Sequence, residues 1–267
     1  YRLVGSEMCI RDSYEGGGAS FNSGVSFKLL EGEKGFFDSD QIIQAINPKN
    51  FYHSPMTKLV SLENTTNKGG GYCWDISEFE KIQKVCKEND LGLHMDGARI
   101  WNSIIAMNND PKIYGNFFDT ISVCLSKGLG CPIGSVLVGK GKVMEKAIRI
   151  RKILGGGMRQ VGYLAAAGLY ALQNNINRLS DDHRRAKEIA KKFSSKDIVN
   201  KINSVETNII IIELNKSVNK QQIINHFTNH NVIFDWYSMG VQKIRIVTHL
   251  DYSEKDHEVL MEIVDKL

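Results

Sequence analysis

Lys127 follows a strand-like run and precedes a patch of glycines, within DTISVCLSKGLGCPIGSVLVG (119–139). A lysine in this position has three roles open to it. It can be a solvated residue at the end of a strand, a ligand for a phosphate group, or a covalent catalyst that attacks a carbonyl carbon. Other charged residues of the sequence decide which role is favoured.

An aspartate and an arginine precede this lysine by one strand–helix unit, as Asp96 and Arg99 in HMDGAR. Pyridoxal phosphate (PLP) chemistry needs a lysine amine that forms an imine with the cofactor aldehyde, and a carboxylate that keeps the pyridine nitrogen protonated. Taken singly, Asp96 also fits a helix N-cap, and Lys127 a surface residue. Taken together, and with glycines that let the backbone pass close to a ligand, they favour a PLP site.

Alternating strands and helices must position these residues. The patterns predict strands over 24–32, 57–64, 91–96, 119–126 and 134–139, and helices over 38–49, 75–90, 140–153 and 159–176. Such alternation indicates an α/β fold with a mostly parallel sheet, in which ligands bind at the carboxyl ends of the strands. Asp96, Lys127 and Glu63 all fall at such ends.

The two ends of the chain follow different patterns. Residues 180–267 indicate a smaller α+β domain that packs on a PLP-binding domain over 14–179. The opening segment 1–13, YRLVGSEMCIRDS, has neither helical nor strand periodicity. It resembles the translation of a sequencing adapter, and we therefore expect it to be non-native and to lie outside the fold.

Composition argues against several classes of partner. The chain has 267 residues, with 42% hydrophobic and 24% charged, as is usual for a globular protein. Its formal charge of +4 comes from 34 basic and 30 acidic residues mixed along the chain, which predicts neither a nucleic-acid nor a membrane partner. Five cysteines without a CxxC motif indicate a reduced, cytoplasmic protein.

Three other motifs are too incomplete to predict a site. GSVLVGKG (134–141) has Gly141 where a phosphate loop needs a hydroxyl, and GLGCPIG (128–134) has one residue too many for a dinucleotide loop. His226 and His230 have the spacing of metal ligands on a helix, but no third ligand accompanies them. We therefore expect no metal.

In five segments, the chain resembles the low-specificity L-threonine aldolases of the aromatic amino acid β-eliminating lyase group. These segments are LENTTNKGGG (62–71), HMDGARIWNS (94–103), SVCLSKGLGCPIGSVLVG (122–139), GGGMRQVGYLAAAGLYAL (155–172) and IRIVTH (244–249). The resemblance implies the aspartate-aminotransferase-like fold type I of PLP enzymes, assembled as a homodimer or homotetramer. It also implies retro-aldol cleavage of L-threonine or L-allo-threonine to glycine and an aldehyde.

The resemblance also implies a role for individual residues. Lys127 would hold the cofactor as an imine, and Asp96 would pair with the pyridinium nitrogen. Arg99 would lie beside the cofactor and, together with Arg245, would bind the substrate carboxylate. Arg159 would reach a cofactor phosphate, in the neighbouring subunit.

Two departures from the family pattern limit these expectations. Thr66 stands where many family members have a histidine near the substrate hydroxyl, which leaves the general base unassigned. Family members also have an N-terminal region that supplies a phosphate cup, a serine and a histidine stacked on the ring, and the stacking position falls near Ile10. We therefore expect the chain as written to be a truncated aldolase that retains PLP poorly.

Other functions remain open at this point. A different PLP enzyme of the same fold, such as another β-eliminating lyase or an aminotransferase, would use the same lysine and aspartate. The chain could also be an inactive fragment, or a scaffold that kept the fold. The intact pair of Asp96 and Lys127 argues against a scaffold, which has no need for it.

Overall fold

The computed structural model describes residues 1–6 and 15–267. In this part of the chain, a six-stranded sheet with the order β2-β1-β3-β4-β5-β6 forms the centre of the N-terminal domain. The strands are β1 (Arg2–Ser6), β2 (Ser26–Leu30), β3 (Thr57–Glu63), β4 (Gly92–Gly97), β5 (Thr120–Cys124) and β6 (Ser135–Gly139). All neighbours are parallel except β5 and β6. The predicted α/β class with a mostly parallel sheet is confirmed.

Helices connect these strands and cover the sheet. They are α1 (Gly18–Ser23), α2 (Ser39–Ala45), α3 (Ile76–Glu88), α4 (Ile100–Met107), α5 (Lys112–Phe117), α6 (Gly141–Ile153) and α7 (Gly162–Asn174). Asp38 begins α2 with a capping box, and Asp75 begins α3 by accepting a hydrogen bond from the Ser77 amide. The predicted helix α3 buries Phe79 and Ile82, together with Val85 and Cys86 on the same face.

The C-terminal part of the chain forms a second layer with its own core. Its elements are α8 (Leu179–Ser194), β7 (Val199–Ile202), β8 (Ile209–Leu214), α9 (Lys220–Asn229), β9 (Lys243–Val247) and α10 (Glu254–Asp265). The three strands are antiparallel in the order β7-β8-β9. Phe193 and Phe227 are fully buried between this sheet and its helices. Strands and helices thus both occur in this part of the chain, as the α+β pattern of residues 180–267 indicates.

Helix α8 joins the two parts of the molecule. At its N-terminus, Leu179 packs against Leu129 of the first domain, whereas Phe193 belongs to the second core. Between them, the Nε2 atom of His183 donates a hydrogen bond to the Oδ1 atom of Asn102 in α4 at 2.9 Å. A domain boundary between residues 179 and 180 stays a prediction, because α8 contacts both cores.

The expectation that the opening residues lie outside the fold is wrong for Arg2–Ser6. These residues form β1 between β2 and β3, and Val4 is fully buried. The sequence of this strand, RLVGS, ends in Gly5 and Ser6, residue types that do not favour a strand, and Gly5 is required because a Cβ there would lie 2.6 Å from the Ser61 carbonyl oxygen. The non-native origin of residues 1–13 stays a prediction, and the position near Ile10 lies outside the described residues.

Within the residues that the structure describes, no helix has the length and apolar character needed to cross a bilayer.

The buried histidine of α8 makes stability depend on pH. Burial lowers the pKa of His183 from 6.5 to about 4, so the folded chain holds this ring neutral while the unfolded chain protonates it. The folded chain is therefore most stable, as far as His183 is concerned, above about pH 6.5. As the pH falls toward about 4, protonation of the unfolded chain lowers the free energy of unfolding by up to about 3 kcal/mol.

We expect the unfolding temperature of His183→Gln to fall less than that of the wild type when the pH is lowered from neutrality. Glutamine keeps a donor for Asn102 but does not titrate. His230→Gln, at an exposed position, is the control and should follow the wild type. Parallel curves for the wild type and His183→Gln would contradict the assignment.

Candidate active site

Three parallel strands end at the same edge of the sheet and place charged residues there. In the strand register, Glu63 of β3 lies opposite Asp96 of β4, and Asp96 lies opposite Ser122 of β5. Lys127 follows β5 after a short turn, in which the Leu125 amide donates a hydrogen bond to the Gly134 carbonyl. The sequence-predicted aspartate and lysine therefore lie on neighbouring strands, near the same edge.

Backbone hydrogen bonds hold Asp96 in place. Its Oδ1 atom accepts a hydrogen bond from the Ala98 amide at 3.0 Å, and its carbonyl oxygen accepts one from the Asn64 amide, also at 3.0 Å. The first bond turns the chain from β4 into α4. The residue as a whole is half-buried.

Lys127 is exposed and lines a cavity of about 410 Å³ at the carboxyl edge of the sheet. Arg99 and Asn102 form the wall on the side of α4, and Arg245 and His249 form the wall on the side of the C-terminal domain. The cavity therefore lies between the two domains. Cations on two of its walls make it suited to an anionic ligand.

Glu63 and Arg99 form a buried pair behind this cavity. The Oε1 atom of Glu63 lies 3.9 Å from the Nη1 atom of Arg99, and the side chains are 10% and 12% exposed. Burial raises the pKa of Glu63 to about 7, against the lowering effects of the Asn67 amide and the nearby cations. Burial lowers the pKa of Arg99, which Glu63 and Asp96 oppose.

Arg245 reaches the site from β9 of the C-terminal domain. Its Nη2 atom donates a hydrogen bond to the Oδ1 atom of Asn67 at 2.7 Å, and its Nη1 atom lies 3.6 Å from Asp235. Asn67 thus fixes this guanidinium at the boundary between the domains. Sequence analysis missed Asn67, although its place in ENTTN, between Glu63 and the glycines, was an available signal.

Two threonine hydroxyls near the end of β3 are available for further hydrogen bonds. Thr65 and Thr66 are 0% and 2% exposed, and neither hydroxyl has a partner within the described residues. A buried hydroxyl without a partner is costly, and neither threonine is among the residues that line the cavity.

The glycines after Asn67 let the loop approach the C-terminal domain. Gly70 and Gly71 have φ angles of 111° and 77°, and a Cβ on Gly71 would lie 2.5 Å from the Oγ1 atom of Thr207. That hydroxyl donates a hydrogen bond to the Gly71 carbonyl at 2.6 Å. The loop that holds Asn67 therefore requires glycine both for its conformation and for its contact with the second domain.

Arg159 is not brought to the cavity of this chain. It lies on the exposed loop between α6 and α7, outside the residues that line the cavity. The structure thus places Asp96, Arg99, Lys127 and Arg245 around one edge of the sheet, and Arg159 elsewhere.

A model of the beta-eliminating lyase family matches residues 7–217 of the chain. The chain belongs to this family. The low-specificity L-threonine aldolase 1 of Arabidopsis thaliana is 37% identical over 262 residues, which cover 94% of this chain and 73% of the relative. The low specificity L-threonine aldolase of Escherichia coli (strain K12) is 35% identical, with 91% of this chain and 70% of the relative covered.

A solved structure of Leishmania major threonine aldolase has the same fold. It matches 99% of this chain and 77% of its own length with a TM-score of 0.83, at 19% sequence identity. The expected fold type I and the expected resemblance to threonine aldolases are confirmed. The protein is a PLP-dependent lyase, and the residues at the strand edge fit the cofactor, since they combine an accessible lysine, a fixed carboxylate and buried hydroxyls without partners.

The glycine loop supplies a test of this geometry. Gly71→Ala should destabilise the fold by at least about 1–2 kcal/mol, because it places a side chain in the left-handed region and against Thr207. Gly141→Ala is the matched control, since nothing lies within 4 Å of a Cβ at that position. Thermal or urea unfolding measures both variants. Equal stability of the two would contradict the required close approach.

Proposed function

We propose that the protein cleaves the Cα–Cβ bond of L-threonine and of L-allo-threonine, and releases glycine and acetaldehyde. The observation that carries the proposal is the placement of Asp96 and Lys127 on neighbouring strands, beside a cavity that Arg99 and Arg245 line from two domains. The names of the Arabidopsis and E. coli relatives support the same reaction.

Lys127 and Asp96 hold the cofactor in this proposal. When bound, PLP supplies an aldehyde that condenses with amines, and a ring that accepts the electron pair of the broken bond. Lys127 provides the amine for this aldehyde, from the exposed turn after β5. Asp96 keeps a proton on the ring nitrogen through its negative charge, and the bond from the Ala98 amide fixes its orientation.

The two arginines orient the substrate. A guanidinium binds a carboxylate through two parallel hydrogen bonds, which fixes direction as well as position. Arg99 approaches from the N-terminal domain and Arg245 from the C-terminal domain, held by Asn67. Contacts from two sides decide which bond at Cα is aligned for cleavage, and therefore select the retro-aldol reaction over proton removal.

Thr66 serves the substrate hydroxyl as a hydrogen-bond partner. Its hydroxyl is buried and is without a partner among the described residues. A threonine is not a base at neutral pH, so Thr66 orients the hydroxyl, and another group or a solvent molecule accepts its proton. The replacement of a histidine by Thr66 therefore bears on the preference between threonine and allo-threonine.

Lys127→Ala provides the test of this function. We expect the purified protein with added PLP to show a visible imine band, to be labelled at Lys127 after borohydride reduction, and to release acetaldehyde from threonine. The variant should lose the band and the turnover, whereas Lys84→Ala, at an exposed site on α3, should keep both. Aldolase activity in Lys127→Ala would refute the assignment, and a keto acid product would indicate an aminotransferase.

We further propose that the chain forms a homodimer or homotetramer through β6, α6 and α7. Each residue of β6 is exposed, and α6 has no buried residue. Ile153, at the end of α6, is 81% exposed, and Tyr163, at the start of α7, is 91% exposed. Exposed large apolar residues in this number are typical of an interface between proteins. The loop with Arg159 lies between α6 and α7, which supports a contact of this arginine with the cofactor phosphate of a neighbouring subunit.

Arg159→Ala tests this arrangement. Loss of one charged contact to a phosphate should weaken PLP binding roughly tenfold, with little change in the unfolding temperature, because the side chain is exposed. Ile153→Lys should lower the molecular mass measured by light scattering, since it places a charge in the interface. An unchanged PLP affinity in Arg159→Ala would contradict its role, and an unchanged mass in Ile153→Lys would exclude this surface.

The cysteines support a reducing compartment. The four cysteines of the described residues, Cys73, Cys86, Cys124 and Cys131, are free. Thiols of this kind are usual in the cytoplasm, where we propose that the protein acts.

A further inference from the structure

Glu63 is connected to both arginines of the proposed carboxylate site. Its Oε1 atom lies 3.9 Å from the Nη1 atom of Arg99. Its Oε2 atom accepts a hydrogen bond from the Asn67 amide at 3.0 Å, and the side chain of Asn67 accepts one from Arg245 at 2.7 Å. One carboxylate is thus linked directly to the first guanidinium, and through Asn67 to the second.

Charged groups from four elements surround this carboxylate. Asp96 faces it from β4, and Arg99 from the start of α4; Lys127 faces it from the turn after β5, and Arg245 from β9. Desolvation by burial raises the pKa of Glu63 to about 7, and Asp96 acts in the same direction. The Asn67 amide, Arg99 and Lys127 act in the opposite direction.

A substrate carboxylate changes this balance. It brings a further negative charge to the guanidiniums of Arg99 and Arg245, which Glu63 already faces. Asp96 also faces Arg99, and Asp235 also faces Arg245. A like charge disfavours the ionised form of a carboxyl group, and the arginines that stabilised Glu63 are now shared. The charge of Glu63 and the charge of the substrate therefore compete for the same cations.

We propose that Glu63 is the resident counter-ion of the two arginines, and that it takes up a proton from the solvent when a substrate carboxylate binds. It is a positioning residue, which acts through Arg99 and Asn67 rather than by contact with the reacting atoms. The proposal rests on the proposed function, since it takes the arginines to be the carboxylate site.

The first test compares the pH dependence of KM in the wild-type holoenzyme and in Glu63→Gln. Glutamine matches the shape of the protonated glutamate and does not titrate, so the ratio of the two KM values isolates Glu63 from groups that both proteins share. We expect the KM of the wild type, divided by the KM of Glu63→Gln, to rise by up to about tenfold per pH unit above about pH 7. The ratio of the two kcat values should stay constant with pH. A KM ratio that stays flat with pH overturns the proposal.

The second test needs neither PLP nor activity. A carboxyl group whose pKa is raised by folding contributes stability that is present below its unfolded pKa of 4.5, and that is lost as the pH rises through about 7. Without cofactor, the unfolding temperature of the wild type should fall relative to Glu63→Gln by on the order of 5 °C between about pH 5 and about pH 8. Glu213→Gln, in β8, is the control and should follow the wild type.

Parallel stability curves for the wild type and Glu63→Gln overturn the proposal even if threonine is cleaved. A divergence of the curves supports it even if the substrate is another amino acid. The failure of this inference is thus distinguishable from a failure of the proposed function, which the labelling of Lys127 decides.

A third measurement uses the wild type alone, should Glu63→Gln fail to fold. The holoenzyme is titrated calorimetrically near neutral pH with 3-hydroxybutanoate, which has the carboxylate and hydroxyl of threonine but no amine. We expect the heat of binding to differ between two buffers of different ionisation enthalpy. The difference should correspond to the uptake of a fraction of a proton for each ligand bound. Binding with equal heats in both buffers overturns the proposal.

Discussion

This site depends on one constraint: the negative charges at the edge of the sheet must be compensated by nearby cations. The parallel register of β3 and β4 places Glu63 opposite Asp96, and two neighbouring carboxylates repel each other. Arg99, at 3.9 Å from Glu63, offsets part of this repulsion. Burial favours the neutral form of Glu63, and Arg99 and Lys127 oppose this effect. The arginines are thus needed before any substrate binds.

The loop after β3 connects this charged edge to the second domain. Asn67 lies between the carboxylate of Glu63 and the guanidinium of Arg245, with a hydrogen bond to each. The glycines that follow allow the loop to contact Thr207 directly. A substitution in this loop would therefore alter the separation of the two arginines as well as stability. Domain packing and the position of Arg245 depend on the same few contacts.

Much of this arrangement could be predicted from the sequence. Alternation of strands and helices gave the α/β class, and the position of Asp96 and Lys127 at strand ends indicated one common edge. The strand β1 could not be predicted, because its sequence RLVGS includes Gly5 and Ser6, and the contact of Gly5 with the Ser61 carbonyl exists only in the folded sheet. Asn67 could not be assigned either, since its partner Arg245 is distant in sequence and the contact exists only after the domains pack. Local patterns predict elements, whereas contacts between domains require the fold.

The groups around the cavity differ in whether their charge can change. Arginines stay protonated at any physiological pH, and burial keeps His183 neutral, although it bonds to Asn102 in the cavity wall. The positive charge that Arg99 and Arg245 present to an anionic ligand is therefore constant. Glu63 differs, because desolvation brings its pKa to about 7. When an anionic ligand binds beside fixed cations, repulsion from a resident carboxylate raises the free energy of the complex. Protonation of that carboxylate removes the repulsion, and Glu63 lies where its protonation has this effect.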